Sequence, residues 1–108
     1  MKLRSYKDDL LAQVKDPEFA ASYLAQVLES SDNAAFLIAL RDVVEASGGV
    51  SAVAQQARIQ RQSLYKALSK KGNPTLATLQ NILKPLGLRV SVTKSLKSIA
   101  KPKKAVAA

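Results

Sequence analysis

The stretch that decides the fold is Val53-Ala54-Gln55-Gln56-Ala57-Arg58-Ile59-Gln60-Arg61-Gln62-Ser63-Leu64-Tyr65-Lys66-Ala67-Leu68. Its apolar residues carry the spacing of two short helices that cross. Ala54 is small where a second helix must pass close, Ile59 fixes a tight connection, and Leu64 with Leu68 anchors the second helix. At about 100° per residue, Leu64, Ala67 and Leu68 gather on one side of that helix, and Arg61, Gln62, Tyr65, Lys66 and Ser69 on the other. The spacing predicts a helix-turn-helix. Its outer face offers what a major groove requires, Arg and Gln to fork onto guanine and adenine edges with Lys beside them for phosphates. An ordinary surface helix also has a polar side, so the charge of the surrounding chain must decide.

That charge is divided sharply. Of the 108 residues, 1–45 hold all eight acids, Asp8, Asp9, Asp16, Glu18, Glu29, Asp32, Asp42 and Glu45, against five bases, a net of −3. Residues 46–108 hold twelve Lys and Arg and no acid, a net of +12. Solubility alone does not exclude every acid from the larger part of a chain. The second half is built to lie against an anionic partner, and nucleic acid is the commonest one.

Upstream, Leu10, Leu11 and Val14 predict a short first helix. Asp16-Pro17-Glu18 is the chemistry of a helix start, with a cap, a proline at the first helical position and an acid in the first turn. Phe19, Tyr23, Leu24, Val27 and Leu28 then fall on one stripe. Ser30-Ser31-Asp32 breaks that helix and offers new caps, and Phe36, Leu37, Leu40, Val43 and Val44 form the next stripe, stopped by Ser47-Gly48-Gly49. Ser51 is the expected cap of the helix that follows. Downstream, Gly72-Asn73-Pro74 is turn chemistry, Thr75 caps a helix from Leu76 to Leu83, and Pro85 with Gly87 ends it. Leu88 to Thr93 alternates apolar and polar residues, as a short half-buried strand does. The last residues, with Lys94, Lys97, Lys101, Lys103 and Lys104, have the composition of a flexible basic tail. We therefore expect an all-α bundle of five or six helices with one C-terminal strand. Its divisions are 1–32, an acidic pair of helices; 33–93, the DNA-binding domain; and 94–108, the tail.

Composition removes most other functions. The chain has no Cys and no His, so thiolate and histidine metal sites, Cys nucleophiles and His-based proton transfer are all closed to it. Asp8, Asp9, Asp16 and Glu18 lack the second cluster or phosphate loop that a metal or acid–base site would need; capping and a partner surface explain them better. We expect no enzyme, no metal and no cofactor. Met1 to Asp9 lacks the apolar core of a signal peptide and no apolar run approaches the roughly 20 residues of a membrane span, so a cytoplasmic protein is expected.

The run Arg61-Gln62-Ser63-Leu64-Tyr65-Lys66-Ala67-Leu68-Ser69, with Gly72-Asn73-Pro74 and Leu86-Gly87-Leu88 after it and Lys15-Asp16-Pro17-Glu18 and Tyr23-Leu24 before it, resembles the addiction-module antidote proteins. These are HigA-like antitoxins with a Cro/repressor-type helix-turn-helix, and the likeness covers about residues 5–93. Three departures stand out. Members place Gly in the turn where this chain has Arg58, so a bulkier residue must bear the left-handed backbone there. Gln60 replaces the usual Ser cap, and Pro85 interrupts a helix that normally continues. The resemblance implies a type II antitoxin that neutralises a ribonuclease-type, HigB-like toxin of the RelE/ParE superfamily and represses its own operon. The other readings are a stand-alone regulator without a toxin, and an RNA-binding or nucleoid-associated basic protein that rests on the +12 half and the tail alone.

Candidate residues follow from both lines. Gln60, Arg61, Gln62, Tyr65 and Lys66 are expected to face the groove, and Ser51, Lys70, Lys71 and Asn73 to hold phosphates of double-stranded operator DNA. A toxin that reaches ribosome-bound RNA must be basic, so its inhibitor should offer acids and apolar groups away from the DNA face. Tyr6, Asp8, Asp9, Glu18, Phe19, Tyr23 and Glu29 meet that demand. A homodimer is expected because one helix-turn-helix reads only one half-site. Leu88, Val90 and Val92 are its candidate seam, since a lone strand must find an edge, either on a second copy or at the chain's own Lys2 to Ser5.

Overall fold

Helix starts in this chain are written locally, and the computed structural model, which describes residues 6–94, has helices beginning at them. α1 spans Tyr6–Gln13, α2 Pro17–Leu28 and α3 Asn33–Ala46. α4 spans Val50–Ala57, α5 Arg61–Ala67 and α6 Leu76–Leu83, followed by a 3-10 turn over Lys84–Leu86. The Asp16 carboxylate accepts the Glu18 N–H ahead of Pro17, Asp32 accepts the Ala35 N–H, and Thr75 accepts the Thr78 N–H. Each side chain satisfies a donor that the first turn of a helix leaves without a partner.

α4 begins differently from expectation. Ser51 is not its cap. Gly49 is, with φ 95° and ψ 169° and no side-chain hydrogen bond, and its carbonyl accepts the Val53 N–H at 3.1 Å. The positive φ is open to glycine at little cost, so the helix starts earlier and Ser51 lies exposed in the first turn.

α1 and α2 both pack on α3, while α4 packs against α3, α5, α6 and the 3-10 turn. One cluster of buried side chains runs through all six helices. Leu10, Val14, Ala20 and Leu24 meet Leu40, Val43 and Val44, and the same cluster continues through Val53, Ala54, Leu64, Leu68 and Ile82 to Leu86. No polar or charged side chain is buried among the described residues, so the core they form is apolar.

The C-terminal strand is a correction. Among the described residues there is no strand, and 88–94 form no ladder. Leu88 packs against the core, but Val90 and Val92 are exposed. Alternation alone does not make a strand; its N–H and C=O groups need an edge, and no described segment of the chain supplies one. Lys2 to Ser5, the internal alternative for that edge, and residues 95–108 of the basic tail lie outside the described residues. No described helix is long and apolar enough to cross a membrane.

Candidate nucleic-acid interface

The connection between α4 and α5 sets the site. Arg58 sits in the left-handed region at φ 59° and ψ 43°, as required where the resembled family has glycine. Its N–H reaches the Gln55 carbonyl, and the Ile59 N–H reaches back to Ala54 at 2.9 Å, which closes α4 in a Schellman-type ending. Ile59 packs on the core and turns the chain into α5. Gln60 stands at the cap position without a side-chain bond. Leu64 and Leu68, both fully buried, then pin α5 to the core.

With that side fixed, helical geometry turns the rest of α5 outward. Gln60, Arg61, Gln62, Tyr65 and Lys66 are all exposed. Gly72 is required in the following loop, because a Cβ there would collide with the Ala67 carbonyl oxygen. Lys70, Lys71 and Asn73 flank it and are exposed. Lys66, Lys71 and Asn73 line an open cleft of about 620 Å³ that reaches Thr75 at the start of α6. Ser51 projects from α4 instead, so eight of the nine expected DNA residues belong to α5, its cap position and the loop after it.

Tyr65 reveals a residue that the sequence reading missed. Guanidinium groups lie over its ring from two helices, Arg61 of α5 at 5.7 Å from the centroid and Arg41 of α3 at 5.4 Å. In sequence, Arg41 sits in the acidic half and reads as a surface partner of Glu45 four residues on, a pair whose closest atoms are indeed 3.8 Å apart. Nothing local in the sequence signals its approach to α5.

The acidic half presents Tyr6, Asp8, Asp9, Glu18, Phe19 and Glu29 at the surface; Tyr6 is 81% exposed and Phe19 only 38%. Tyr23 differs from these. It is half-buried, packs on the core and donates a long hydrogen bond of 3.5 Å to Asp42. Burial, with the Asp42 charge beside it, holds the Tyr23 phenol above its ordinary pKa. Burial likewise raises the Asp42 carboxyl, and Glu45 adds to that, against the opposing pull of Lys7, the Tyr23 hydroxyl and Arg41. Lys7 Nζ spans from α1 to Glu45 at 3.3 Å and Asp42 at 3.9 Å. Among the described residues, no group of three or more acids is arranged to hold a metal ion.

Two comparisons bear on this arrangement. The family described as "Probable addiction module antidote protein" matches the chain over residues 5–94. An uncharacterized protein of Haemophilus influenzae is 37% identical over 87 residues, which covers 81% of this chain and 89% of that protein. No solved structure matches the chain.

Proposed function

The chain belongs to the addiction-module antidote family, and from that premise we propose that it is a type II antitoxin that binds a toxin through one surface and operator DNA through another. An antidote has a toxin as its general partner. The finer reading is a basic ribonuclease-type toxin of the RelE/ParE superfamily, held by the exposed acids and aromatics of α1 and α2. The α4–α5 pair acts as a helix-turn-helix, and the protein is a non-enzymatic autorepressor that reads two half-sites as a homodimer.

One observation carries the DNA side of this reading. Arg61, Gln62, Tyr65 and Lys66 are exposed on a helix whose opposite side is sealed by Leu64 and Leu68, within a half of the chain that has no acid. Such a face repels a basic toxin and attracts phosphate, so the two partners need separate surfaces.

The test combines two assays. The reading requires a small basic protein encoded beside this chain, and co-expression of the two should restore growth that the basic protein alone arrests. A gel shift on the promoter of that gene pair should show binding that the double variant Arg61→Ala, Gln62→Ala abolishes. Growth arrest without rescue removes the antitoxin reading, and intact binding by the double variant removes the groove assignment. Light scattering at tens of micromolar should report twice the chain mass; a monomer there removes the dimer.

A further inference from the structure

We propose that Arg41, carried by α3 within the acidic half of the chain, is a phosphate ligand of the DNA face, held in place by the ring of Tyr65. The proposal rests on the DNA-binding reading of α5 and extends that surface to a third helix.

The ring is the link. Tyr65 is 40% exposed and stands on the outward side of α5 with Arg61, four residues away and so directly neighbouring on the helix. The Arg41 guanidinium over the same ring therefore adjoins the ridge formed by Arg61 and Tyr65. An aromatic face attracts each cation through its quadrupole but does not remove their mutual repulsion. Two guanidinium groups on one exposed ring make a concentration of positive charge that an anion would relieve.

The nearby carboxylate does not neutralise it. Glu45 Oε2 is 3.8 Å from Arg41 Nε, while its other oxygen is 3.3 Å from Lys7 Nζ, so one acid serves two bases. Asp42 is divided further still: it gives Lys7 a longer contact at 3.9 Å, accepts from the Tyr23 hydroxyl and interacts with Arg41 as well. A guanidinium engaged at Nε still carries four N–H donors on its terminal nitrogens, in the planar fork that matches a phosphodiester. The attraction of the Tyr65 ring, whose centroid is 5.4 Å from Arg41 Cζ, holds the side chain beside the ridge before DNA arrives, which lowers the ordering cost of the contact. The chemistry is a sequence-independent phosphate contact, because the side chain reaches the ridge from α3 rather than from the helix that reads bases.

The experiment uses the full chain and a duplex that the wild-type protein selects from a randomised pool. Affinity is measured across salt concentrations for wild type, Arg41→Gln and Arg41→Lys, with circular dichroism as a check on folding. Loss of one phosphate contact should make the slope of log affinity against log salt shallower by about 0.9 in Arg41→Gln, and Arg41→Lys, which keeps the charge but not the fork, should restore the slope while binding more weakly than wild type. Independently, phenylglyoxal labelling of the wild-type protein should show DNA protecting Arg41 as it protects Arg61, which settles the matter even if Arg41→Gln folds poorly. A wild-type slope in folded Arg41→Gln, equal slopes in the Gln and Lys variants, or labelling of Arg41 that DNA does not alter would each overturn the inference alone. A wild-type chain that binds no DNA would overturn it together with the DNA-binding reading beneath it.

Discussion

At Arg58 a long, charged side chain sits on a left-handed backbone that costs an L-residue about 1–2 kcal/mol. Glycine would remove that strain but adds chain entropy to the unfolded state. The balance predicts that Arg58→Gly raises stability by about 0.5–1 kcal/mol, read as a higher urea midpoint with unchanged slope. A lower midpoint would mean that the Arg58 side chain holds the turn by contacts of its own. Asp42 makes a second prediction at this scale. Its carboxyl is raised in the fold, chiefly by burial, so the native state binds that proton more tightly than the unfolded chain does. Stability must then fall as pH rises from the ordinary aspartate range through the raised value, and stay lower above it. Asp42→Asn should abolish this fall, visible when the stability–pH curves of variant and wild type are subtracted. Tyr23→Phe removes a hydrogen bond to the ionised form and should push the Asp42 titration higher still, as carboxyl NMR would report.

Single elements begin and end by rules that mutation can separate. Asp32 caps α3 through its side chain, so Asp32→Ala should cost about 1 kcal/mol. Ser51 resembles a cap in sequence but makes no such bond at the head of α4, and Ser51→Ala should change stability by less than about 0.5 kcal/mol. Thermal unfolding of the two variants side by side distinguishes the assignments; equal losses would return the cap to Ser51. Gly72 is limited by space. A methyl group there meets the backbone of Ala67, which cannot rotate aside, and Gly72→Ala should cost about 1–3 kcal/mol. Because that backbone closes α5, the same change should also weaken DNA binding. A Gly72→Ala protein as stable as wild type would show that the loop gives way easily.

Across the whole molecule, the acidic helices share one apolar core with the α4–α5 pair. Leu10, Val14, Ala20 and Leu24 contact the cluster that also holds Leu64 and Leu68. Deleting residues 1–30 would strip apolar cover from α3 and confuse a lost surface with a lost fold. Charge reversal at exposed positions avoids this. Glu18→Lys combined with Glu29→Lys leaves the core untouched; the first change puts a cation at the N-terminal end of α2, which the helix dipole disfavours, and the second puts one at the C-terminal end, which it favours, so the two effects offset. The double variant should therefore fold and bind DNA about as well as wild type, yet lose toxin neutralisation in the growth assay. Full rescue of growth by this variant would move the toxin surface elsewhere on the molecule.

Local chemistry determined much of this protein. Asp16, Asp32 and Thr75 act within their own first turns, so the starts of α2, α3 and α6 are legible without knowledge of any neighbour. The outward set on α5 follows from helical period once Leu64 and Leu68 are recognised as core, and the left-handed residue at Arg58 was implied by the resemblance to a family that carries glycine there. Properties that depend on a partner distant in sequence could not be read this way. Leu88 to Thr93 alternates like a strand, but pairing is decided by an available edge, and the described chain offers none. Tyr23 lies on the same stripe as exposed Phe19, yet the packing of α2 on α3 turns it toward Asp42. Arg41 reads as half of an exposed ion pair with Glu45, and only the folding of α5 alongside brings it over Tyr65. A helix cap is complete within four residues of sequence, whereas a cation meets a ring from another helix only after the core has set the distance between them.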